Sequence, residues 1–102
     1  MPRVGQPYTS GDWLVQAGQE DAFVEEWTAF TEWSLQNAKG AEGFTLIRDS
    51  GDSRHFVSFG AWADDGAVAE WRQSPEFGER LGRCRALCER FEAHDYAVAA
   101  SP

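Results

Sequence analysis

The sequence predicts an α+β domain with the ferredoxin-like order β-α-β-β-α-β, in which helices cover an antiparallel four-stranded sheet and the second helix is split. Three observations support this class. The chain has 102 residues, the size of one small domain, so we expect a single domain over 1–102 with an ordered core at about 8–99. Two long segments repeat apolar residues at helical spacing, and each lies between segments with strand character. A run of turn residues separates the two middle strands.

The first strand is predicted at residues 8–16, where the sequence alternates weakly around Trp13 and Val15. The first helix follows, with Glu20 and Asp21 in its first turn, where the helix dipole favours acids. It should end at Ala38, because a lysine and a glycine come next. One face of this helix carries the spacing i, i+4, i+7, i+11 in Phe23, Trp27, Phe30 and Ser34.

The middle of the sequence predicts a β-hairpin, with strands at 44–49 and 55–62 joined by the turn residues 50–53. Both faces of the second of these strands carry large apolar groups. One face holds Phe56, Ser58, Gly60 and Trp62, and the other holds His55, Val57, Phe59 and Ala61. Such a strand needs a layer on each side. Because 102 residues hold too few strands for a second sheet, we expect that sheet to come from another subunit of a homodimer.

The split second helix is predicted from Asp65 to about Gln73 and again from Pro75, since Ser-Pro-Glu at 74–76 is a strong restart signal. A long apolar stripe extends this last helix in Phe77, Leu81, Cys84, Cys88 and Phe91, and the last strand is predicted at 93–99. Cysteines four apart on a helix are too distant for a disulfide, so the two are expected to be small buried thiols. They do not form a metal site, because no second pair of ligands accompanies them.

Composition excludes several classes of partner. The chain carries 17 acidic and 9 basic residues, a net charge of −8, which disfavours nucleic acid and anionic membranes. No apolar run is long enough for a membrane span, and the start shows no secretion signal, so we expect a cytoplasmic location. Five Trp and seven Phe are many for this length. Such a number of rings predicts a lined cavity, a subunit interface, or both.

Four phrases in this order carry a family resemblance: AGQEDAF, EGFTLIRD, HFVSFGAWAD and AEWRQSPEF. Together they resemble the antibiotic biosynthesis monooxygenase domain family of dimeric α/β barrels, over roughly residues 8–99. The resemblance implies a homodimer whose two sheets face one another. It also implies a ligand cavity between each subunit's sheet and its own helices.

One branch of this family oxidises aromatic polyketide anthrones or quinols with O₂, without metal or flavin. Its pattern has an Asn on the third strand, a Trp four residues later, a helical Tyr, and a basic residue from the last helix. Trp62 matches the Trp position, whereas Ser58 stands at the Asn position and Val68 at the Tyr position. Arg80 is the candidate for the basic residue.

A second branch binds and degrades haem with a strand Asn, a helical Trp and a helical His that ligates the iron. Trp71 matches the Trp position, but Gly11 and Leu81 stand where the Asn and the His belong. Without an imidazole at position 81 this ligation fails, so haem degradation is not expected.

Two functions follow from these residues. The first is a cofactor-independent monooxygenase acting on an aromatic polyketide or quinol, with Trp62 walling the cavity and Ser58 anchoring a substrate oxygen as the candidate catalytic pair. The candidate substrate-binding residues are Trp13, Trp27, Phe56, Trp71, Phe77, Leu81 and Cys84. The alternative is a non-catalytic, dimeric protein of the same fold that binds a small hydrophobic molecule or acts as an accessory partner. In that case Trp62 is ordinary core and Ser58 bonds to the backbone.

Overall fold

A computed structural model describes residues 2–102 of the chain. Four strands form one antiparallel sheet in the order β2-β3-β1-β4, and three helices pack on one side of it. The fold is therefore α+β and ferredoxin-like, as the sequence predicts. The elements are β1 (Pro7–Val15), α1 (Glu20–Asn37), β2 (Ala41–Arg48), β3 (His55–Trp62), α2 (Asp65–Gln73), α3 (Pro75–Arg85) and β4 (Cys88–Ala97).

The helix boundaries follow the local chemistry of the sequence. Gly40 adopts φ +92° just after α1, a conformation that favours glycine. The Asp64 side chain caps α2 by accepting a hydrogen bond of 2.8 Å from the backbone N–H of Ala67. Pro75 begins α3, where its missing N–H costs nothing. The β2 strand begins at Ala41, three residues before its predicted start.

The last helix ends earlier than predicted, and this part of the sequence interpretation is wrong. The α3 helix stops at Arg85, and β4 begins at Cys88 rather than at residue 93, so Phe91 is a strand residue. The misleading apolar spacing arises from a β-bulge: Val15 pairs with Cys88 and Leu14 with Arg90, which leaves Glu89 as the additional residue. The bulge returns Cys88 and Phe91 to one face at a spacing of three, which imitates a helical stripe.

Both thiols are free, as expected, although their surroundings differ from the predicted helix. Cys84 is fully buried near the end of α3, whereas Cys88 lies at the start of β4 and is partly buried. The Cys88 Sγ donates a weak hydrogen bond of 3.4 Å to the Cys84 carbonyl. Burial raises the pKa of the Cys84 thiol to about 12, so this group stays protonated at neutral pH.

The core lies between the sheet and the helices. Every second residue of β3 is buried against the helices, which confirms the predicted inner face of this strand. The outer face of β3 is only partly covered. On the same face of the sheet, Ile47 of β2 is 50% exposed and Tyr96 of β4 is 57% exposed. Within residues 2–102, no helix is both long and apolar enough to cross a membrane.

Candidate active site between the sheet and the helices

An apolar cavity lies between the inner face of the sheet and the three helices. Its volume is about 80 Å³, well below the ~300–1,000 Å³ of typical small-molecule pockets. Small residues of β1 and β3 form the floor: Thr9, Gly11, Ser58 and Gly60. Larger side chains form the walls and the rim: Trp13, Trp27, Phe30, Thr31, Phe44, Trp71, Arg72, Phe77, Leu81 and Phe91.

Two glycines of the floor allow neighbouring side chains to pack directly against the strands. In the sheet register Gly11 lies opposite Ser58, and Gly60 lies opposite Thr9. A Cβ atom on Gly11 would stand 2.6 Å from Trp13 Nε1 and 2.9 Å from Ser58 Oγ. A Cβ atom on Gly60 would stand 2.6 Å from the Phe44 ring. Both positions therefore need glycine because neighbouring side chains occupy the space of a methyl group.

Two hydroxyls on this floor each accept a hydrogen bond from an indole. Trp13 Nε1 donates to Ser58 Oγ, and Trp62 Nε1 donates to Thr9 Oγ1, both at 3.0 Å. Within residues 2–102, each of these is the only hydrogen bond of its hydroxyl oxygen. A hydroxyl carries one hydrogen and two lone pairs, so both groups keep a hydrogen for an oxygen acceptor inside the cavity.

The indole of Trp71 donates to a hydroxyl whose own hydrogen is already donated to a carbonyl. Trp71 Nε1 donates to Ser34 Oγ at 2.9 Å, and Ser34 in turn donates to the Phe30 carbonyl at 2.8 Å. Trp71 also packs against Trp62 and Phe77, with ring centroids 4.7 and 4.5 Å away. Trp71 is therefore a rigid wall whose polar atom has no capacity left for a ligand.

A family comparison agrees with this architecture. The family model for antibiotic biosynthesis monooxygenases matches residues 12–80, which span most of the cavity-forming elements. The chain belongs to the antibiotic biosynthesis monooxygenase family. No functionally curated protein sequence matches this member of the family at a significant level.

Solved structures share the fold of this monooxygenase-family chain at low sequence identity. SnoaB, a cofactor-independent oxygenase from Streptomyces nogalater, aligns with a TM-score of 0.86 at 18% identity, covering 95% of this chain and 96% of that chain. PA3566 from Pseudomonas aeruginosa aligns at 0.76 and 22%, covering 94% and 96%. A conserved protein from Methanosarcina mazei Go1 aligns at 0.82 and 14%, covering 92% and 93%. At these identities the similarity establishes the fold.

Six of the nine residues predicted for the family site lie on the cavity surface: Ser58, Trp13, Trp27, Trp71, Phe77 and Leu81. Three do not reach that surface. Trp62, Phe56 and Cys84 are at most 2% exposed and lie in the core behind it. Trp62 meets the site through its hydrogen bond to Thr9 and through its packing against Trp71. The functional roles of all nine residues stay predictions.

The two remaining positions of the quinol-oxidising pattern also lie away from the cavity surface. Val68 is buried in the core. Arg80 places its guanidinium 5.3 Å from the Trp33 ring centroid and its Nε 3.7 Å from Glu76, on the outside of the helical layer. Neither side chain is among those that line the cavity.

Sequence reasoning missed several cavity residues, of which Thr9 and Arg72 are the polar ones that matter most. Thr9 could have been found, because it shares a strand face with Gly11 and Trp13. Arg72 stands at the rim, where its guanidinium donates two hydrogen bonds to Asp95. These bonds hold the pKa of the Asp95 carboxyl below its usual value. This pair joins α2 to β4 beside the opening.

A charged cluster lies on the opposite face of the sheet. His55 Nδ1 is 2.9 Å from Asp49 Oδ2, and His55 Nε2 is 2.9 Å from Asp12 Oδ1. The hydrogen bond with Asp49 is the largest cause that raises the pKa of His55, and the hydrogen bond with Asp12 is the next. The hydrogen bond between His55 and Asp49 also lowers the pKa of Asp49. None of these three residues lines the cavity. Residues 2–102 contain no group of three or more side chains arranged to hold a metal ion.

Proposed function

We propose that this chain is a cofactor-independent monooxygenase that oxidises an electron-rich aromatic molecule, a quinol or an anthrone, inside the cavity. Membership of the monooxygenase family supports the reaction class. One observation carries the assignment to this cavity. The buried Ser58 hydroxyl accepts from Trp13 and keeps its hydrogen, so a polar anchor for a substrate oxygen stands in an aromatic chamber.

The proposed chemistry lies mainly in the substrate. A phenolate transfers one electron to O₂, and the resulting radical and superoxide combine at the ring carbon to form a C–O bond. In an anthrone, the hydroperoxide then loses water, so that a CH₂ group and O₂ yield a carbonyl and H₂O. Ser58 donates to the phenolate oxygen, and the walls exclude water from the reactive intermediates.

The proposed reaction requires that the substrate lose its phenolic proton. Among residues 2–102, no carboxylate and no imidazole lines it. We therefore propose that the substrate binds as its phenolate, which the donor Ser58 favours over the neutral phenol. The pH profile should then follow the phenol pKa of each substrate rather than a single pKa of the protein.

The size of the cavity requires movement for larger substrates. A volume of about 80 Å³ is too small for a fused-ring molecule, so binding must displace part of the wall. Phe77 and Leu81 on α3 are the best candidates, because both are only partly buried. Gly78 and Gly82 lie in the same helix and have open space around them.

Oxygen uptake tests the proposal. Purified protein is mixed with a panel of quinols and anthrones in an oxygen electrode, and the rate is compared with spontaneous oxidation in buffer. Ser58→Ala should lower the rate about 10-fold or more, because a donor to the developing charge is lost. Ser50→Ala, in the exposed hairpin turn, is the matched control and should keep the wild-type rate. No acceleration over buffer across the panel would refute the proposal.

The homodimer belongs to the same proposal. The outer sheet face exposes Ile47 and Tyr96 beside partly buried Val57, Phe59 and Ala61, and such a face is best covered by the same face of a second copy. Sedimentation at micromolar concentration should show twice the chain mass of 11.4 kDa, and Phe59→Asp should shift it to the monomer. A wild-type species of the single-chain mass would contradict the dimer.

A non-catalytic binding protein is the second candidate, and the lack of a proton acceptor among the described lining residues favours it. It predicts saturable binding of small aromatic molecules without oxygen consumption. The proposed small-molecule partner is the same in both cases, and haem is not proposed because Leu81 occupies the position of the ligating histidine. We place the protein in the cytoplasm as part of this proposal, since both thiols are free, as is usual where thiols are kept reduced.

A further inference from the structure

We propose that a proton on His55 controls the association of two copies of this chain through the outer face of the sheet. The dimer is tight while the imidazole is protonated, and it loosens when that proton is lost. This inference rests on the proposed homodimer and is independent of the proposed oxidation. It concerns the cluster of His55, Asp12 and Asp49, which lies on the side of the sheet away from the cavity.

One imidazole links three neighbouring strands in this cluster. His55 begins β3, and its Nδ1 is 2.9 Å from Oδ2 of Asp49, which directly follows β2. Its Nε2 is 2.9 Å from Oδ1 of Asp12 on β1. A neutral imidazole has one N–H and donates to only one of these oxygens, whereas the imidazolium donates to both. Because carboxyl groups lose their proton about two pH units below an imidazole, the bridging proton belongs to His55.

Loss of this proton changes both the geometry and the charge of the cluster. One ring nitrogen then presents a lone pair to an ionised carboxylate, so one of the two hydrogen bonds is lost. The charge of the cluster goes from −1 to −2, because two carboxylates remain without the imidazolium. The hydrogen bonds with Asp49 and then Asp12 raise the pKa of His55, so the change occurs above pH 6.5.

The cluster shares the outer face with the apolar residues that the second copy is proposed to cover. His55 lies on the same face of β3 as Val57 and Phe59, and Asp12 lies opposite Val57 in the sheet register. The side chains of His55, Asp12 and Asp49 are 25%, 39% and 41% exposed. A second copy on this face removes that surface from water. Burying a charge of −2 costs more than burying −1, so the deprotonated cluster opposes association.

The other charged groups around the cluster balance one another. They are three arginines, three acids and one further histidine: Arg48, Arg54, Arg90, Asp52, Glu89, Glu92 and His94. The Arg54 guanidinium is 2.8 Å from Glu89, and that of Arg48 lies 4.7 Å from the Phe56 ring centroid. The charge of the cluster itself therefore decides the sign of the pH effect. The net charge of −8 on each copy acts in the same direction, because lost protons increase the repulsion between copies.

His94 provides an internal comparison on the same face. It stands on β4, with its Nε2 3.7 Å from Oε2 of Glu92 and its side chain 51% exposed. It has one distant carboxylate partner, whereas His55 bridges two at hydrogen-bond distance. Proton loss from His94 therefore breaks no bridge between strands, and its contribution to the pH effect should be the smaller one.

Analytical ultracentrifugation of the full chain at pH 6 and pH 9, at constant ionic strength, tests this inference. The dissociation constant of the wild-type dimer should be about 10-fold higher at pH 9, since two His55 groups lose a proton in each dimer and each contributes a factor of about 3. An equal dissociation constant at the two pH values, or a lower one at pH 9, would overturn the inference.

Variants assign the effect to the bridge. His55→Asn should remove the pH dependence and leave the dimer about as weak at pH 6 as the wild type is at pH 9. The matched control His94→Asn should keep most of the pH dependence. Asp12→Asn removes one carboxylate and should tighten the dimer at pH 9, which keeps the test valid if His55→Asn fails to fold. A pH dependence that persists in His55→Asn, or that disappears in His94→Asn, would contradict the role of His55.

Failure of the proposed dimer is distinguishable from failure of this inference. A wild-type chain that is monomeric at both pH values rejects the homodimer, and the proton control falls with it. A dimer with the same dissociation constant at pH 6 and pH 9 rejects the proton control alone. Oxygen uptake is measured separately and is decided by neither result.

Discussion

Gly11→Ala tests whether the cavity floor depends on the missing side chain. The new Cβ atom would stand 2.6 Å from Trp13 Nε1 and 2.9 Å from both Trp13 Cε2 and Ser58 Oγ. Trp13 cannot easily withdraw, because it is 2% exposed and packs against Phe23 and Phe91 at centroid distances of 5.1 and 4.2 Å. The substitution must therefore separate Trp13 from Ser58 or displace the strand.

The expected loss of stability can be worked out from these contacts. Overpacking a buried site costs about 1–3 kcal/mol, and the lost hydrogen bond between Trp13 and Ser58 adds about 1 kcal/mol. The reduced freedom of the unfolded chain offsets about 0.4–1 kcal/mol. Gly11→Ala should thus lower the free energy of unfolding by about 1–3.5 kcal/mol, measured by urea denaturation with tryptophan fluorescence.

Gly43→Ala is the matched control. Gly43 is also a strand glycine, but a Cβ atom there meets nothing within 4 Å. Its substitution should raise the free energy of unfolding by about 0.4–1 kcal/mol, because only the reduced freedom of the unfolded chain changes. If Gly11→Ala and Gly43→Ala agree within about 0.5 kcal/mol, the argument that the floor needs glycine beside Trp13 is wrong.

Three further substitutions have definite expected outcomes. Ser34→Ala leaves the buried Trp71 N–H without its acceptor and should cost about 1–3 kcal/mol in urea denaturation, part of which the double variant with Trp71→Phe should recover. The pKa of His55 is raised above its ordinary value of 6.5, so the stabilisation from its protonated form is fully present below pH 6.5 and is lost as pH rises through the higher pKa of the folded state. His55→Asn should therefore flatten the dependence of melting temperature on pH between those two pKa values, and an unchanged slope there would contradict the assignment. Leu81→Ala should tighten the binding of two-ring aromatic molecules by widening the cavity, and weaker calorimetric binding of naphthols than in the wild type would count against α3 as the movable wall.

Most elements were predictable from sequence because their signals are local. The alternation of β3, the Ser-Pro-Glu restart of α3 and the glycine after α1 each act through nearest neighbours, and the structure confirms all three. The end of α3 was not predictable in this way. Its apolar spacing continues to Phe91, but pairing of β4 with β1 and a bulge at Glu89 produce that spacing within a strand.

The site was predictable only in part, for the same reason. Ser58 and Trp71 were identified from sequence, and the structure brings both to one cavity. Thr9 was missed because its significance comes from Trp62, 53 positions away in the chain. No local pattern reveals which indole donates to which hydroxyl, since that depends on how the paired strands align.

By itself, the sequence determined the order of the elements, the inner face of the sheet and the aromatic character of the interior. These properties follow from periodicity and turn chemistry, which act over a few residues. Only the tertiary structure decided that Trp62 is a buried donor behind the cavity and that Trp13 and Trp62 leave two hydroxyl hydrogens free on its floor. The physical reason is that hydrogen-bond capacity belongs to pairs of groups, and the register of the sheet sets those pairs.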